Sequence, residues 1–210
     1  MAFQDSLLKK TAFVLFASLA LSAGFWLASE LRTPDDGGIQ LQGVVLKPPR
    51  QIQVPELTKQ DGAAFTNEDL RGQWSLIFFG YTHCPDICPM TMNVLAEAKK
   101  KSTGDFPQVV FVSVDPQRDT VDLLDGYVRY FDPEFIGVTG DEKMIQALTL
   151  QASVLYMKVP GGSGNENDYL VDHSASILLI NPEGQLAAFL SAPHTPASIN
   201  DSVSKVKGVF

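Results

Sequence analysis

The sequence predicts an α/β fold, a mixed central sheet flanked by helices, preceded by an N-terminal transmembrane helix. Three observations carry this. Apolar stretches of strand length, "SLIFFG" (75–80), "QVVFVSVDP" (108–116) and "FIGVTG" (135–140), alternate with segments of helical spacing. A hairpin pattern and one last helix close the chain. Residues 11–29 form a run without a single charge. Alternating strands and helices imply a parallel sheet with right-handed crossovers. Apolar runs without polar alternation are what strands buried on both faces require.

Element by element, residues 51–210 are expected to be the folded domain. "QIQVPELTKQDGAAFTNEDLRGQW" alternates polar and apolar residues and turns at Asp61-Gly62, which suggests a short hairpin. Helices are expected over 89–101, 119–131 and 141–152, the second with Asp119 or Thr120 as its cap. "VLYMKVP" (154–160) reads as a strand or extended arm, and "GGSGNEND" (161–168) as a flexible loop. "SILLI", the turn "NPEG" and "QLAAFL" make an antiparallel hairpin at the sheet edge, and residues 195–206 the final helix. This is the element order of a thioredoxin-like fold.

The N-terminal run has the length of a span, since crossing a bilayer takes about 20 mainly apolar residues. Lys9 and Lys10 precede it, whereas Glu30 follows it. Basic residues stay cytoplasmic, so residues 1–10 are assigned to the cytoplasm, 11–29 to the anchor, 30–50 to a Gly- and Pro-rich linker, and the domain to the far side. A cleaved signal is the competing interpretation, but its apolar core is usually only about 7–15 residues long. Cleavage after Ser22-Ala23-Gly24 would also leave Phe25 and Trp26 at a new terminus. No cysteine near the run offers a lipid anchor, and no Arg- and Ser-rich transit segment is present. A single-pass protein of a bacterial inner membrane, facing the periplasm, is expected. Residues 33–210 hold 13 Lys+Arg against 22 Asp+Glu, which excludes a nucleic-acid partner for want of a basic footprint.

The chemistry is concentrated in "GYTHCPDICPM", which holds both cysteines, Cys84 and Cys88. They fall where a buried strand gives way to a helix, and a helix N-terminus lowers a thiol pKa. Pro85 and Pro89 suit a loop or a first helical turn. If the segment is helical, a spacing of four puts both sulfurs on one face. A disulfide between such near neighbours would constrain little of the unfolded chain. Two soft sulfurs suit Cu(I), zinc or an iron–sulfur cluster. A four-cysteine cluster needs more cysteines than exist, and structural zinc wants four Cys or His ligands. Of the histidines His83, His173 and His194, His173 sits just before "SILLI". In a thioredoxin-like order that turn lies beside the cysteine loop, where a cis-proline usually stands, and no proline stands there here. Cys84, Cys88 and His173 would then give one copper ion two sulfurs and a nitrogen. The same pair can also close to a disulfide, which would remove both thiolate ligands and make loading depend on reduction.

Three blocks, "FFGYTHCPDICPMTMNVL", "VFVSVDPQRDT" and "YLVDHSASILLINPEGQL", resemble the signature blocks of the Sco/SenC family. The likeness runs from about Val54 to the C-terminal helix, and its most specific element is Cys-Pro-Xaa-Xaa-Cys-Pro combined with a distant Asp-His. The resemblance implies a membrane-anchored, thioredoxin-like copper protein serving cytochrome c oxidase assembly, chiefly the binuclear copper centre of subunit II. It implies Cys84, Cys88 and His173 as ligands of one copper, Cu(I) or Cu(II), per domain. It also implies subunit II as partner, with a periplasmic copper donor or thioredoxin-like reductase as further candidates.

Around the ligands, Asp115, Arg118 and Asp172 are candidates for orienting them, with a turn-and-cap network as the ordinary alternative for the first two. His83 reads as a supporting residue and His194 as a surface residue near a helix start. Asp86 reads as a solvent-facing residue. Met90 and Met92 read as core filling. Two rival functions remain open: a thiol–disulfide reductase acting through a mixed disulfide, and a peroxidase, for which the Thr-x-x-Cys motif is absent because Thr82 stands only two positions before Cys84.

Overall fold

The computed structural model describes residues 15–26, 41–162, 165 and 168–210. The chain divides into two compact units, Met1–Gln40 and Leu41–Phe210. In the first, residues 15–26 are helical (α1). The assigned anchor, 11–29, extends beyond them, and its remaining residues lie outside the described ones. Among the described residues no helix is long and apolar enough to cross a membrane.

The second unit is built on strand β4 (Ser75–Gly80), every residue of which is buried. It pairs in parallel with β5 (Gln108–Ser113), which pairs in parallel with β6 (Ile136–Gly140). On its other side β4 pairs antiparallel with β9 (Ile177–Ile180), and β9 with β10 (Gln185–Leu190). Three helices follow the parallel strands: α2 (Ile87–Lys101), α3 (Val121–Phe131) and α4 (Glu142–Gln151). The last helix, α5 (Pro196–Lys207), packs on α2. Leu76, Ile77, Phe78 and Phe79 are almost wholly buried, and each such side chain contributes about 1.5–3 kcal/mol by leaving water. The expected hairpin at Asp61-Gly62 is β2 (Leu57–Lys59) with β3 (Ala64–Phe65), added antiparallel to β6. With β1 (Gly43–Gln51), the full order is β1-β10-β9-β4-β5-β6-β2-β3, the mixed sheet expected of the sequence.

Two features differ from expectation. Residues 43–51, most of which the sequence assigns to the linker, are strand β1 (Gly43–Gln51), paired antiparallel with β10. Consequently β10 is not an edge; β1 is. Pro48 and Pro49 made the stretch look like a linker, but an edge strand tolerates proline because one row of its amides pairs with nothing. The β1–β10 register breaks between Val45 and Arg50, the stretch that holds both prolines. The second difference lies after α4. β7 (Tyr156–Pro160) is the strand, one of the two alternatives expected, but among the described residues it pairs with β8 (Tyr169–His173), a strand not expected, as a two-stranded ribbon separate from the main sheet. The loop 161–168 joins them, and residues 163, 164, 166 and 167 of it lie outside the described ones.

Gly43 shows how closely β1 is held. Its φ is +154°, and a Cβ there would lie 1.9 Å from the Phe189 carbonyl oxygen. Gly43→Ala is therefore expected to lower the urea midpoint by an amount equivalent to about 1–3 kcal/mol, the cost of forcing an atom into a packed contact. An unchanged midpoint would mean that β1 adds nothing to the domain.

Candidate metal centre

The centre begins where β4 ends. Gly80 closes the strand because nothing larger fits: a Cβ would stand 2.9 Å from the Cys88 sulfur and 2.8 Å from the Phe111 ring. The chain then turns through Tyr81 to Asp86 and enters α2. Asp86 occupies the cap position, yet its carboxylate makes no capping bond. The Cys84 sulfur takes that part instead, accepting the Cys88 amide at 3.4 Å. A helix start leaves amides unpaired and carries partial positive charge, so it favours an anion such as a thiolate. Pro89, third in the helix, brings no amide that would need a partner. Cys88 is fully buried and Cys84 is 9% exposed.

His173, the last residue of β8, reaches the pair from the ribbon. Its Nε2 lies 3.2 Å from the Cys88 sulfur, and its Nδ1 lies 3.1 Å from the Ser174 carbonyl oxygen. A carbonyl only accepts, so Nδ1 carries the proton and the Nε2 lone pair faces the sulfurs, the tautomer that a metal ligand needs. The rings of Phe78 and Tyr81 meet the imidazole at 6.0 and 6.1 Å between centroids and fix its plane. The two sulfurs and the imidazole nitrogen all lie within 4.8 Å of one another. Two soft sulfurs with one imidazole are a donor set that suits copper.

The two thiols are not equivalent. The Cys88 thiol bonding to it holds Cys84 well below the ordinary thiol range against the effect of burial, with help from the Asp86 and Cys88 amides. The same bond to Cys84, together with burial, pushes Cys88 far up. Without metal, the pair therefore shares one proton, and Cys84 carries the thiolate.

Asp115 and Arg118, two of the three residues expected to orient ligands, make their contacts with the ribbon that carries His173. The Asp115 carboxylate is fully buried, takes the Arg118 Nε–H and accepts the Tyr169 hydroxyl at 2.6 Å. Arg118 also donates from Nη1 to the Tyr169 carbonyl at 3.0 Å and lies 3.6 Å over the Tyr169 ring. Burial and then the bond to Asp115 push the Tyr169 hydroxyl up to about 12, so it stays a donor at neutral pH. These contacts tie the beginning of β8, and with it His173, to the end of β5. Asp172 is a correction. Neighbours on a strand point to opposite faces, so Asp172, exposed beside His173, points away from the sulfurs.

Several participants were missed in the sequence. Asp119 is not the cap of α3, a role filled by Thr120. It is buried and accepts from the Thr82 amide, the Thr82 hydroxyl and the Ser113 hydroxyl. The one available signal was the polar cluster Ser113, Asp115 and Asp119 at the end of an apolar strand. Tyr81 and Tyr169 gave none. His83 lies beside Thr82 and Asp119, half exposed. His194 is not a plain surface residue: its Nε2 stands 2.8 Å from the Ala175 carbonyl and pins the segment after His173. Met92 is core, but Met90 is 55% exposed.

A family model described as SCO1/SenC matches residues 49–208. The chain belongs to the SCO1/SenC family. It is 34% identical over 194 residues to a SCO2-like protein of Rickettsia felis, covering 89% of this chain and 92% of that one. It is 40% identical over 152 residues to the mitochondrial SCO1 homolog 1 of Arabidopsis thaliana, covering 71% of this chain but only 45% of the relative. Among solved structures, Arabidopsis thaliana ScoI with copper bound superposes with a TM-score of 0.70 at 38% identity, covering 76% of this chain and 100% of that one. A structure of BsSco, described as a member of the Sco family of cytochrome c oxidase assembly proteins with a disulfide switch, aligns with a TM-score of 0.58 at 26% identity, covering 78% and 96%. The thioredoxin-like fold and the copper expected from the sequence accord with these: Sco proteins are solved holding copper, and this Sco chain presents Cys84, Cys88 and His173 as a metal-binding group.

The shared proton has a measurable consequence. Reduced, metal-free protein should be alkylated by iodoacetamide first at Cys84, at a rate nearly constant from about pH 6 to pH 8, as peptide mass spectrometry can follow. An ordinary thiol with a pKa near ~8.5 would gain almost two orders of magnitude over that range. Such a gain at Cys84 would refute the assignment of the thiolate.

Proposed function

We propose that this Sco protein is a copper chaperone. It carries one copper on Cys84, Cys88 and His173 and delivers it to cytochrome c oxidase, at the binuclear copper site of subunit II, during assembly. The observation that carries this is the Nε2 lone pair of His173 turned toward two sulfurs. A dithiol used only for electron transfer needs no imidazole held in that tautomer. Delivery to the oxidase is supported by the assembly role stated for the relative BsSco. The apolar run 11–29 behind Lys9 and Lys10 supports anchoring in the inner membrane with the domain in the periplasm. In this role the chain's residues bind the ion and exclude water with Phe78 and Tyr81, leaving the more exposed Cys84 as the donor that an acceptor's ligand approaches first.

A second reading has its own support, the low-pKa Cys84 beside a thiol four residues on. As a reductase, the Cys84 thiolate would attack a target disulfide and release one target thiol. The Cys88 sulfur would then attack Cys84, releasing the second and leaving a Cys84–Cys88 disulfide. The target gains two electrons and the protein loses two.

The test uses the full chain, solubilised in detergent, reduced and anaerobic. One copper per chain is expected for the wild type. Cys84→Ser, Cys88→Ser and His173→Ala should each bind at least about 10–100-fold more weakly, the loss that removal of even an outer partner causes. Wild-type affinity in His173→Ala, with disulfide reduction and oxidase assembly intact, would transfer the assignment to the reductase. Protease access to the domain from the periplasmic side of intact cells checks the anchor, and a domain shielded there would contradict it.

A further inference from the structure

We propose that Asp119 positions the cysteine loop and that its charge biases the site toward the divalent form of its copper ion. This rests on the copper reading above.

The position comes first. The Asp119 carboxylate accepts the Thr82 amide at 3.0 Å, the Thr82 hydroxyl at 2.6 Å and the Ser113 hydroxyl at 2.6 Å. Thr82 stands two residues before Cys84. Ser113 pairs across the sheet with Gly80, the residue against which the Cys88 sulfur lies. The carboxylate is thus directly beneath the loop, held from strand β5, and it fixes the loop at its first free amide.

The charge comes second. Acceptance of three donors is the behaviour of an ionised carboxylate. Asp115, nearby and equally buried, is neutralised by Arg118. Asp119 meets no lysine or arginine within ion-pair distance among the described residues; its nearest basic group is the half-exposed His83, with Nδ1 at 3.7 Å. Burying a carboxylate without a cation is costly. Among the site's contents, the ion held by Cys84, Cys88 and His173 is the positive charge that can offset it. Two thiolates around a monovalent ion leave a net negative charge, and around a divalent ion none. A fixed anion behind them therefore favours the divalent state, and does so through a medium that screens less than water.

Asp119→Asn separates the two parts. Its amide oxygen can still accept the Thr82 amide and the Ser113 hydroxyl, while its NH2 donates to the Thr82 hydroxyl, which turns round to accept. Shape and bonds stay and the charge goes. Thr82→Val does the reverse, keeping the charge and removing the hydroxyl's bonds to Asp119 and His83. Cu(I) and Cu(II) affinities of the full chain are measured separately, anaerobically, by competition with chromophoric chelators. The ratio of Cu(II) to Cu(I) affinity is expected to fall about tenfold in Asp119→Asn, equivalent to a rise of about 59 mV for a one-electron couple. In Thr82→Val both affinities should fall together with the ratio unchanged. A ratio within twofold of wild type in Asp119→Asn would overturn the proposal. So would a failure of both Asp119→Asn and Asp119→Ser to fold, which would make the carboxylate a requirement of the fold. Wild-type protein that takes up no copper would overturn the copper reading as well, so the two failures are distinguishable.

Discussion

The Cys84 sulfur closes the first turn of α2, where a hydroxyl or carboxylate usually stands. Much of the centre follows from that contact. A sulfur that accepts a helix amide is stabilised as thiolate. It must lie within one turn of the helix start, which places Cys88 on the same side. Cys88 can then sit against the sheet only because Gly80 has no side chain. The site is thus set by the junction of a fully buried strand with a helix, and the burial of β4 on both faces makes that junction rigid. A strand with one wet face could shift register or bend, and the sulfurs would move with it.

Two arms hold the junction, and both start from one short segment. Residues 113–119 end β5 and precede α3. From there Asp119 reaches the cysteine loop, while Asp115 and Arg118 reach the ribbon that carries His173. One carboxylate is paired with an arginine and the other meets no lysine or arginine among the described residues, although both are fully buried. The paired one does a structural task at no net charge. The other stands beside the place where a metal would bring its own positive charge. That difference, rather than sequence distance from the cysteines, separates the two aspartates.

The parts of this that were legible in the sequence are those with a periodic or compositional signature. Strands β4, β5 and β9 read as apolar runs because they are buried on both faces. The helices read from spacing and caps. Cys84, Cys88 and His173 were found because few soft ligands exist in the chain and the element order brings them together. What was not legible depends on pairing between distant segments. β1 was hidden by Pro48 and Pro49, whose cost vanishes only at an edge that the sequence does not reveal. Asp172 drew attention by standing next to His173, but strand alternation turns it away. Asp119 looked like a helix cap, since an aspartate before a helix usually is one, and only the fold shows Thr82 and Ser113 converging on it.

The placement of the third ligand gives the last step. Cys84 and Cys88 belong to the main body, where β4, β5 and α2 share one core. His173 belongs to β8, which among the described residues pairs with β7 and with no strand of the main sheet. Its attachment is Val171, the one residue of β8 that is buried in the core, and a set of polar and aromatic contacts: Arg118 and Asp115 with Tyr169, His194 with the Ala175 carbonyl, and the rings of Phe78 and Tyr81. Segments with few buried apolar contacts open at lower free energy than the core does. Withdrawing the histidine therefore costs less than disturbing the sulfurs. A rigid dithiol with a separately held imidazole would let one of the three donors be withdrawn without unfolding anything that holds the sulfurs in place.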